Sequence, residues 1–421
     1  MKRIVSVLVM IGATFAILQS ATTGRSADLS PAEQSIAEAN QAIGEKPAQY
    51  TSYNLLAMAL VRRAQETSDA SLYARAEDAV KKSLELAPNN FDTEKIRVSI
   101  LLGEHEFPAA LEAAKALNKK VPDDVMVYGL LTDANVELGN YNEAENAAQW
   151  MLNLRPGNLP ALIRAAHLRE LFGDAEGAYE LMDMAYKSTS PTEPGERASI
   201  LTQMGHIRFA SGNTDVAEKL FQQALAYFPS YYSALGNLAH VRIAQHRYEE
   251  AVVLCQRRYR GAPCAGYCYD LAEALQLAGR DAEAQKSFAE FETSALLQSG
   301  KSQNSNLELV FYYADRAHQP AKALRMAQQE YAWRHDVYTL DAYAWALHVN
   351  GRDVEARKQI ETALAVGVRD AKLSRHAGEI VLKLGDLAAA KLYLKQAAEL
   401  NTVGSEQARS TLAGLSHGEQ E

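Results

Sequence analysis

Ten alanines stand in one register along most of this chain: Ala76, Ala110, Ala144, Ala178, Ala217, Ala251, Ala284, Ala323, Ala356 and Ala390. Seven of the nine steps between them are 33 or 34 residues, and the other two are 39. Self-similarity at such a period marks stacked copies of one small unit, each too short to bury its own apolar face. A length of 421 residues would otherwise suggest two or three ordinary domains. The register replaces that expectation with one elongated domain, bent at the two longer steps.

Each copy is punctuated in the same places. Twelve residues after the alanine comes Pro88, Pro122, Pro156, Pro229 or Pro263, with Pro191 one residue late. Proline cannot continue a helix, so it ends the unit. Five residues before the alanine comes Gly139, Gly173, Gly212, Gly279, Gly351 or Gly385. Glycine is the usual stop at a helix C-terminus, so it marks a turn inside the unit. The stretch Ala198–Tyr231 shows the whole pattern. Leu201, Met204, Gly205 and Arg208 share one helical face, and Ala217, Leu220, Phe221, Ala224 and Leu225 share another. Gly205 and Ala217 are small, which lets the two helix axes approach closely.

On these residues the chain resembles the tetratricopeptide repeat (TPR) superfamily. Leu201, Met204, Gly205, Arg208, Ala217, Phe221 and Pro229 fall on the family's sparse pattern, although the aromatic residues expected at Leu201 and Arg208 are absent. The resemblance covers roughly residues 50–404 and implies an all-α, right-handed superhelix of about ten helix pairs with a binding role. Repeats 1–4 are expected over 50–192, repeats 5–7 over 198–298 and repeats 8–10 over 304–404. Residues 28–49 read as an N-terminal capping helix, opened by Ser30-Pro31-Ala32-Glu33 with a capping box. Residues 405–421 read as a C-terminal capping helix and tail.

The first 27 residues stand apart. Lys2 and Arg3 precede a 15-residue apolar run, Ile4–Leu18, and small or polar residues follow to Ala27. That is the order of a secretory signal peptide. The run is short for a membrane span, which needs about 20 residues. The expected location is periplasmic or secreted, with an uncleaved inner-membrane anchor as the alternative, and any membrane contact is confined to this segment. The formal charge of −9, without a long basic run, argues against non-specific nucleic-acid binding, and no nucleic-acid partner is expected.

Motifs for catalysis are missing. His105-Glu106 is followed by Phe107-Pro108, which breaks a metalloprotease pattern, and no phosphate loop, nucleophile elbow or dinucleotide fingerprint occurs. A non-enzymatic protein without cofactor or metal is expected. Cys255, Cys264 and Cys268 cluster at the junction of repeats six and seven. An odd count leaves at least one thiol unpaired. Cys255 with Cys268 or with Cys264 could form a disulfide staple, and three buried thiols is the other reading. No histidine pair at ligand spacing accompanies them, so a zinc site is not expected.

The resemblance implies that the first helix of each pair lines a concave groove, with the residue after the small Gly205-type position pointing into it. That column reads Met58, Ser99, Asp133, His167, His206, His240, Glu273, Tyr312, Trp345 and Glu379. His167, His206 and His240 would form a row, able when protonated to hold an acidic or carboxylate-bearing ligand and weakening as pH rises. Further along, the same face offers Tyr269, Glu273, Tyr312, Asp315, Tyr338, Asp341, Trp345 and His348, a mixture suited to a peptide, although inter-repeat packing would use the same spacing. Asn54 and Asn237 lack the lysines that accompany asparagine in the TPR clamp for a terminal carboxylate. The functional expectation is an exported scaffold that binds a protein or peptide along this groove. The alternatives are a subunit of an envelope assembly or export complex, for polysaccharide or protein secretion, and a cell-wall-related enzyme on an α-solenoid.

Overall fold

A computed structural model describes residues 29–67, 69–300, 304–400, 402 and 404–417. Residues 1–27, where a signal peptide is expected, residues 301–303 of the second spacer and the last four residues lie outside the described residues. Everything described is helix, turn or bend, and among the described residues there is no strand. Helix α1 (Pro31–Glu45) precedes ten helix pairs. They are α2 (Tyr50–Thr67) with α3 (Ser71–Leu86), α4 (Phe91–Gly103) with α5 (Phe107–Lys120), α6 (Val125–Glu137) with α7 (Tyr141–Leu154), and α8 (Leu159–Leu171) with α9 (Ala175–Ser188). Then come α10 (Pro194–Ala210) with α11 (Thr214–Tyr227), α12 (Tyr232–Ala244) with α13 (Tyr248–Gly261), and α14 (Ala265–Leu277) with α15 (Asp281–Leu296). The last three pairs are α16 (Asn306–Phe311) with α17 (Pro320–Tyr331), α18 (Val337–Val349) with α19 (Asp353–Leu364), and α20 (Ala371–Lys383) with α21 (Leu387–Glu399); α22 (Ser405–His417) closes the array.

The alanine register now has its physical cause. Every one of the ten alanines is at most 2% exposed. Each sits where the second helix of a pair crosses the first, and a larger side chain there would hold the axes apart. Gly205 answers the same constraint from the first helix: a Cβ placed on it would lie 2.5 Å from the Phe221 ring.

In nine of the ten pairs the turn holds one residue of positive φ. Glycine supplies it at Gly139, Gly173, Gly212, Gly279, Gly351 and Gly385. In three pairs that position, five residues before the register alanine, is instead His105, His246 or His318, with φ of 61°, 57° and 50°. An L-residue held there is strained by about 1–2 kcal/mol. The 39-residue step after Ala178 also becomes clear. Helix α10 begins early, at Pro194, and runs 17 residues. Arg197 in its first turns donates to the Tyr227 hydroxyl at 3.0 Å and to the Thr189 carbonyl at 3.2 Å, which fastens the extra turn to the array.

The chain divides into two compact units, one up to Arg97 apart from Glu66–Ala70, the other from Val98 onward together with that short stretch. In the first unit, Ser30 caps α1. Its hydroxyl accepts from the Glu33 amide at 3.2 Å, and the Glu33 carboxylate accepts from the Ser30 amide at 2.8 Å. Arg63 on α2 reaches Glu33 at 2.9 Å. Asn54 is buried, and its Oδ1 accepts from the hydroxyls of Ser83 and Thr93 at 2.7 and 3.0 Å. It is a packing residue.

In the second unit the array closes on itself. The turns of the third, fourth and fifth pairs meet the connections that follow the eighth, ninth and tenth second helices. A Cβ at Gly139 would lie 2.7 Å from the His335 carbonyl, one at Gly173 2.6 Å from the Gly367 carbonyl, and one at Gly212 3.0 Å from the Leu400 carbonyl. These glycines are therefore required both for their φ and for the close approach of a second backbone. The His335 amide donates to the Glu137 carbonyl at 3.1 Å. One apolar cluster continues across this seam, joining Val136, Ala144, Leu168 and Leu171 to Val337, Leu340, Leu347 and Ile360. At the other end, Ala408 of α22 is fully buried against Leu394, Ala397 and Leu400.

Candidate functional site

The groove column splits into two parts in the second unit. In the early repeats it is polar and open. Asp133 on α6 takes a two-toothed ion pair from Arg164 on α8, at 2.8 and 2.6 Å, which ties neighbouring first helices together. His167 follows on α8; its edge is open to solvent, although the surrounding wall desolvates it. His206 on α10 is half exposed and places Nε2 3.4 Å from Oε1 of Glu170. His240 on α12 is half-buried, near Asp270, Arg258, Glu273 and His206. The three histidines do line up along successive first helices. Burial, however, lowers the pKa of His167 and of His240. Both rings are therefore neutral at neutral pH, and these two do not supply the positive charge that an anionic ligand would need.

The later part of the column is occupied by packing. Tyr269 is 7% exposed and packs edge-on against Phe288 and at a tilt against Phe291, while its hydroxyl donates to Glu273 at 3.0 Å. Glu273 also takes Arg316 at 3.2 Å. Tyr312 stacks on Phe288. Trp345 is 6% exposed, and its indole N–H donates to Asp315 at 2.8 Å. Tyr269 and Trp345 are thus core residues, which corrects their reading as groove contacts. A first helix offers adjacent faces to its partner and to the groove, and apolar spacing does not distinguish them. Tyr338, 41% exposed and close enough to Glu170 to feel its charge, is the aromatic residue that remains available on this face.

Tyr312–Arg316 forms a π-helical turn after α16. Such turns recur at functional sites. This one carries Asp315 to Trp345 and Arg316 to Glu273. Behind it lies a pair that the column missed. His376 on α20 is fully buried, and its Nδ1 is 2.7 Å from Oδ1 of Asp341 on α18. The ring lies between Trp345 and Phe311, with centroids 4.1 and 5.8 Å away. Its sequence signal is a polar residue on the apolar stripe Leu373, Ala377, Ile380.

In the structure the three cysteines are free thiols, Cys255 and Cys268 buried and Cys264 half-buried. Cys255 and Cys268 are both nearly inaccessible, and Cys268 donates to the Ser287 carbonyl at 3.3 Å. Among the described residues no group of three or more histidine, cysteine or acidic side chains is placed to hold a metal ion. Among them, too, no helix is long and apolar enough to cross a membrane.

The sequence pattern described as "Tetratricopeptide repeat" matches residues 208–258, which run from the end of α10 into α13. Ten helix pairs in the same register extend that match along the array. Over those residues the chain is similar to the tetratricopeptide repeat family. Among solved structures, a human IFIT1 dimer with PPP-AAAA superposes with a TM-score of 0.50 at 12% identity, covering 84% of this chain and 90% of that one. The APC/C hetero-tetramer Cut9-Hcn1 gives 0.45 at 14% identity, over 78% of this chain and 55% of that one, so this chain spans about half the length of that relative. The type IV pilus biogenesis factor PilW gives 0.42 at 14%, over 49% of this chain and 94% of that one. At these identities the likeness is one of fold. A comparison with curated protein sequences gives no match. The TPR likeness suggests a scaffold for protein interaction.

Proposed function

We propose that the protein is an exported, non-enzymatic scaffold that binds a protein or peptide segment on the concave face of its second unit, along α8, α10, α12 and α18. The observation that supports this most is the open polar stretch His167, Glu170, His206 and Tyr338. Tyr269 and Trp345 are spent on packing, whereas His167, His206 and Tyr338 keep accessible edges. Export rests on the charge and apolar order of residues 1–27. The neutral state of His167 and His240 makes hydrogen bonding and aromatic contact, rather than anion capture, the mode of recognition.

The test is a cross-linking pull-down from the envelope fraction, with wild type beside a variant carrying His206→Glu and Tyr338→Ala. A partner captured by the wild type and lost by the variant, with helical circular dichroism unchanged, supports the reading. A partner retained by both moves the interface to the convex face. That outcome favours the alternative, a docking subunit of an envelope assembly or export complex.

A further inference from the structure

The strongest unexplained feature of the second unit is its seam. One cation serves three carboxylates there. Arg334, between α17 and α18, donates from Nε to Oδ2 of Asp336 at 2.7 Å. Its Nη2 approaches Oε2 of Glu137 on α6 at 2.9 Å, but no N–H is aligned on that oxygen, which is buried and has no hydrogen-bond donor. Oε1 of Glu330 on α17 is 3.9 Å from Nε. Asp336 takes the best of the cation and is otherwise satisfied by the Thr339 hydroxyl at 2.6 Å and the Tyr338 amide at 2.9 Å. Glu330 receives the Asn306 side-chain amide at 3.2 Å and a further side-chain hydrogen bond from Asn304. Asp133 on α6 adds further negative charge near Glu137. The Tyr141 hydroxyl on α7 completes the polar surroundings, and the Phe107 ring on α5 lies 5.7 Å from the guanidinium. His335 turns its ring onto Tyr331.

We propose that this seam is a proton-tightened gate, closed most firmly in mild acid and loosened as pH rises. If Glu137, Glu330 and Asp336 are all ionised, the buried cluster carries two negative charges in excess of Arg334. Uptake of a proton by Glu137 or Glu330 removes one of them. Burial raises the pKa of both groups above 4.5, against the pull of Arg334. A raised carboxyl pKa in the closed state gives stability that is complete below the ordinary carboxyl value and is lost as pH rises through the raised one. Asp336 does not oppose this. Burial works against its charge, but Arg334 and Thr339 hold its pKa below 3.8, so its contribution is lost only in stronger acid.

The test is hydrogen exchange of the backbone amides over residues 335–340, measured from about pH 5 to 8 and corrected for intrinsic exchange, with no partner present. The gate predicts that protection in the wild type falls several-fold with rising pH, while residues 214–227 in α11 stay constant. The Glu137→Gln/Glu330→Gln variant, which mimics the protonated pair, keeps its acid-level protection at pH 8. Flat or rising protection in the wild type overturns the proposal, as does a folded variant that tracks the wild type. If the double variant fails to fold, Glu330→Gln alone is read in the same way. Because no ligand takes part, the result is independent of whether the concave face binds a partner.

Discussion

The hydroxyl oxygen of Tyr141 accepts a hydrogen bond from the backbone N–H of Val337 at 3.0 Å, although the two residues stand 196 apart in the chain. That bond crosses the seam of the second unit, where the third helix pair meets the connection between the eighth and ninth. It turns an open-ended stack into one that returns to itself, so each face of the array is fixed by neighbours in sequence and by a distant turn. The account of stability and function follows from this closure, and it can be tested residue by residue.

Gly205→Ala is the simplest packing test. The new Cβ would meet a fully buried Phe221 ring at 2.5 Å, and that ring has no free space to move into. Overpacking of this kind costs about 1–3 kcal/mol. A lower midpoint of urea unfolding, followed by circular dichroism, is the expected result.

His318→Gly should act in the opposite direction. His318 is exposed and held at φ 50° in the turn where six other pairs use glycine. Relief of the left-handed strain outweighs the added freedom of the unfolded chain by about 0.5–1 kcal/mol. The thermal midpoint should rise, whereas Gly351→His should lower it.

The Asp341–His376 pair predicts two opposite pH profiles. Burial pushes the Asp341 carboxyl up to about 7, against the pull of Lys372 and Arg375. Burial, then Arg375 and Lys372, hold the His376 imidazole well below its usual range. The raised carboxyl gives stability that is lost as pH rises toward 7. The lowered imidazole gives stability that is lost as pH falls below 6.5, because there the unfolded chain takes up the proton that the folded one refuses. In the wild type these slopes largely offset each other. Asp341→Asn exposes the histidine term, so stability should fall as pH is lowered from about 7 to 4.5. His376→Phe keeps the ring stack and exposes the carboxyl term, so stability should fall as pH is raised over the same interval. Denaturation midpoints across that range measure both.

The cysteines give a chemical check. Burial pushes the Cys255 thiol up to about 12 and the Cys268 thiol up to about 11, and it raises Cys264 as well. A thiol reagent should therefore react slowly with the native protein, at Cys264 first, and count three thiols after denaturation without reductant. A count of one would mean a disulfide.

Much of this architecture was legible in the sequence, and the limits are physical. The alanine register marks the crossing of each helix pair because only a small residue fits there, so periodicity alone locates the pairs. The capping box at Ser30 and Glu33 is local and equally readable. Gly139, Gly173 and Gly212 are visible as turn residues, but their second role is not, because it depends on carbonyls nearly 200 residues away. His105, His246 and His318 look like gaps in the glycine pattern, whereas they adopt the same backbone conformation. Tyr269 and Trp345 were misplaced because groove and core are adjacent strips of one helix. His376 was missed because its partner, Asp341, lies on another helix at a separation that no short motif records.

The central claim is that a partner occupies the concave face of the second unit. The most direct measurement places a photo-cross-linking amino acid at position 206, on the concave column, and in a second protein at position 253, where Val253 is 62% exposed on the second helix of its pair. Both proteins are expressed in cells, irradiated and recovered from the envelope fraction. The account predicts a discrete adduct from position 206 that is absent from position 253. An adduct from position 253 alone, or the same adduct from both, would contradict it.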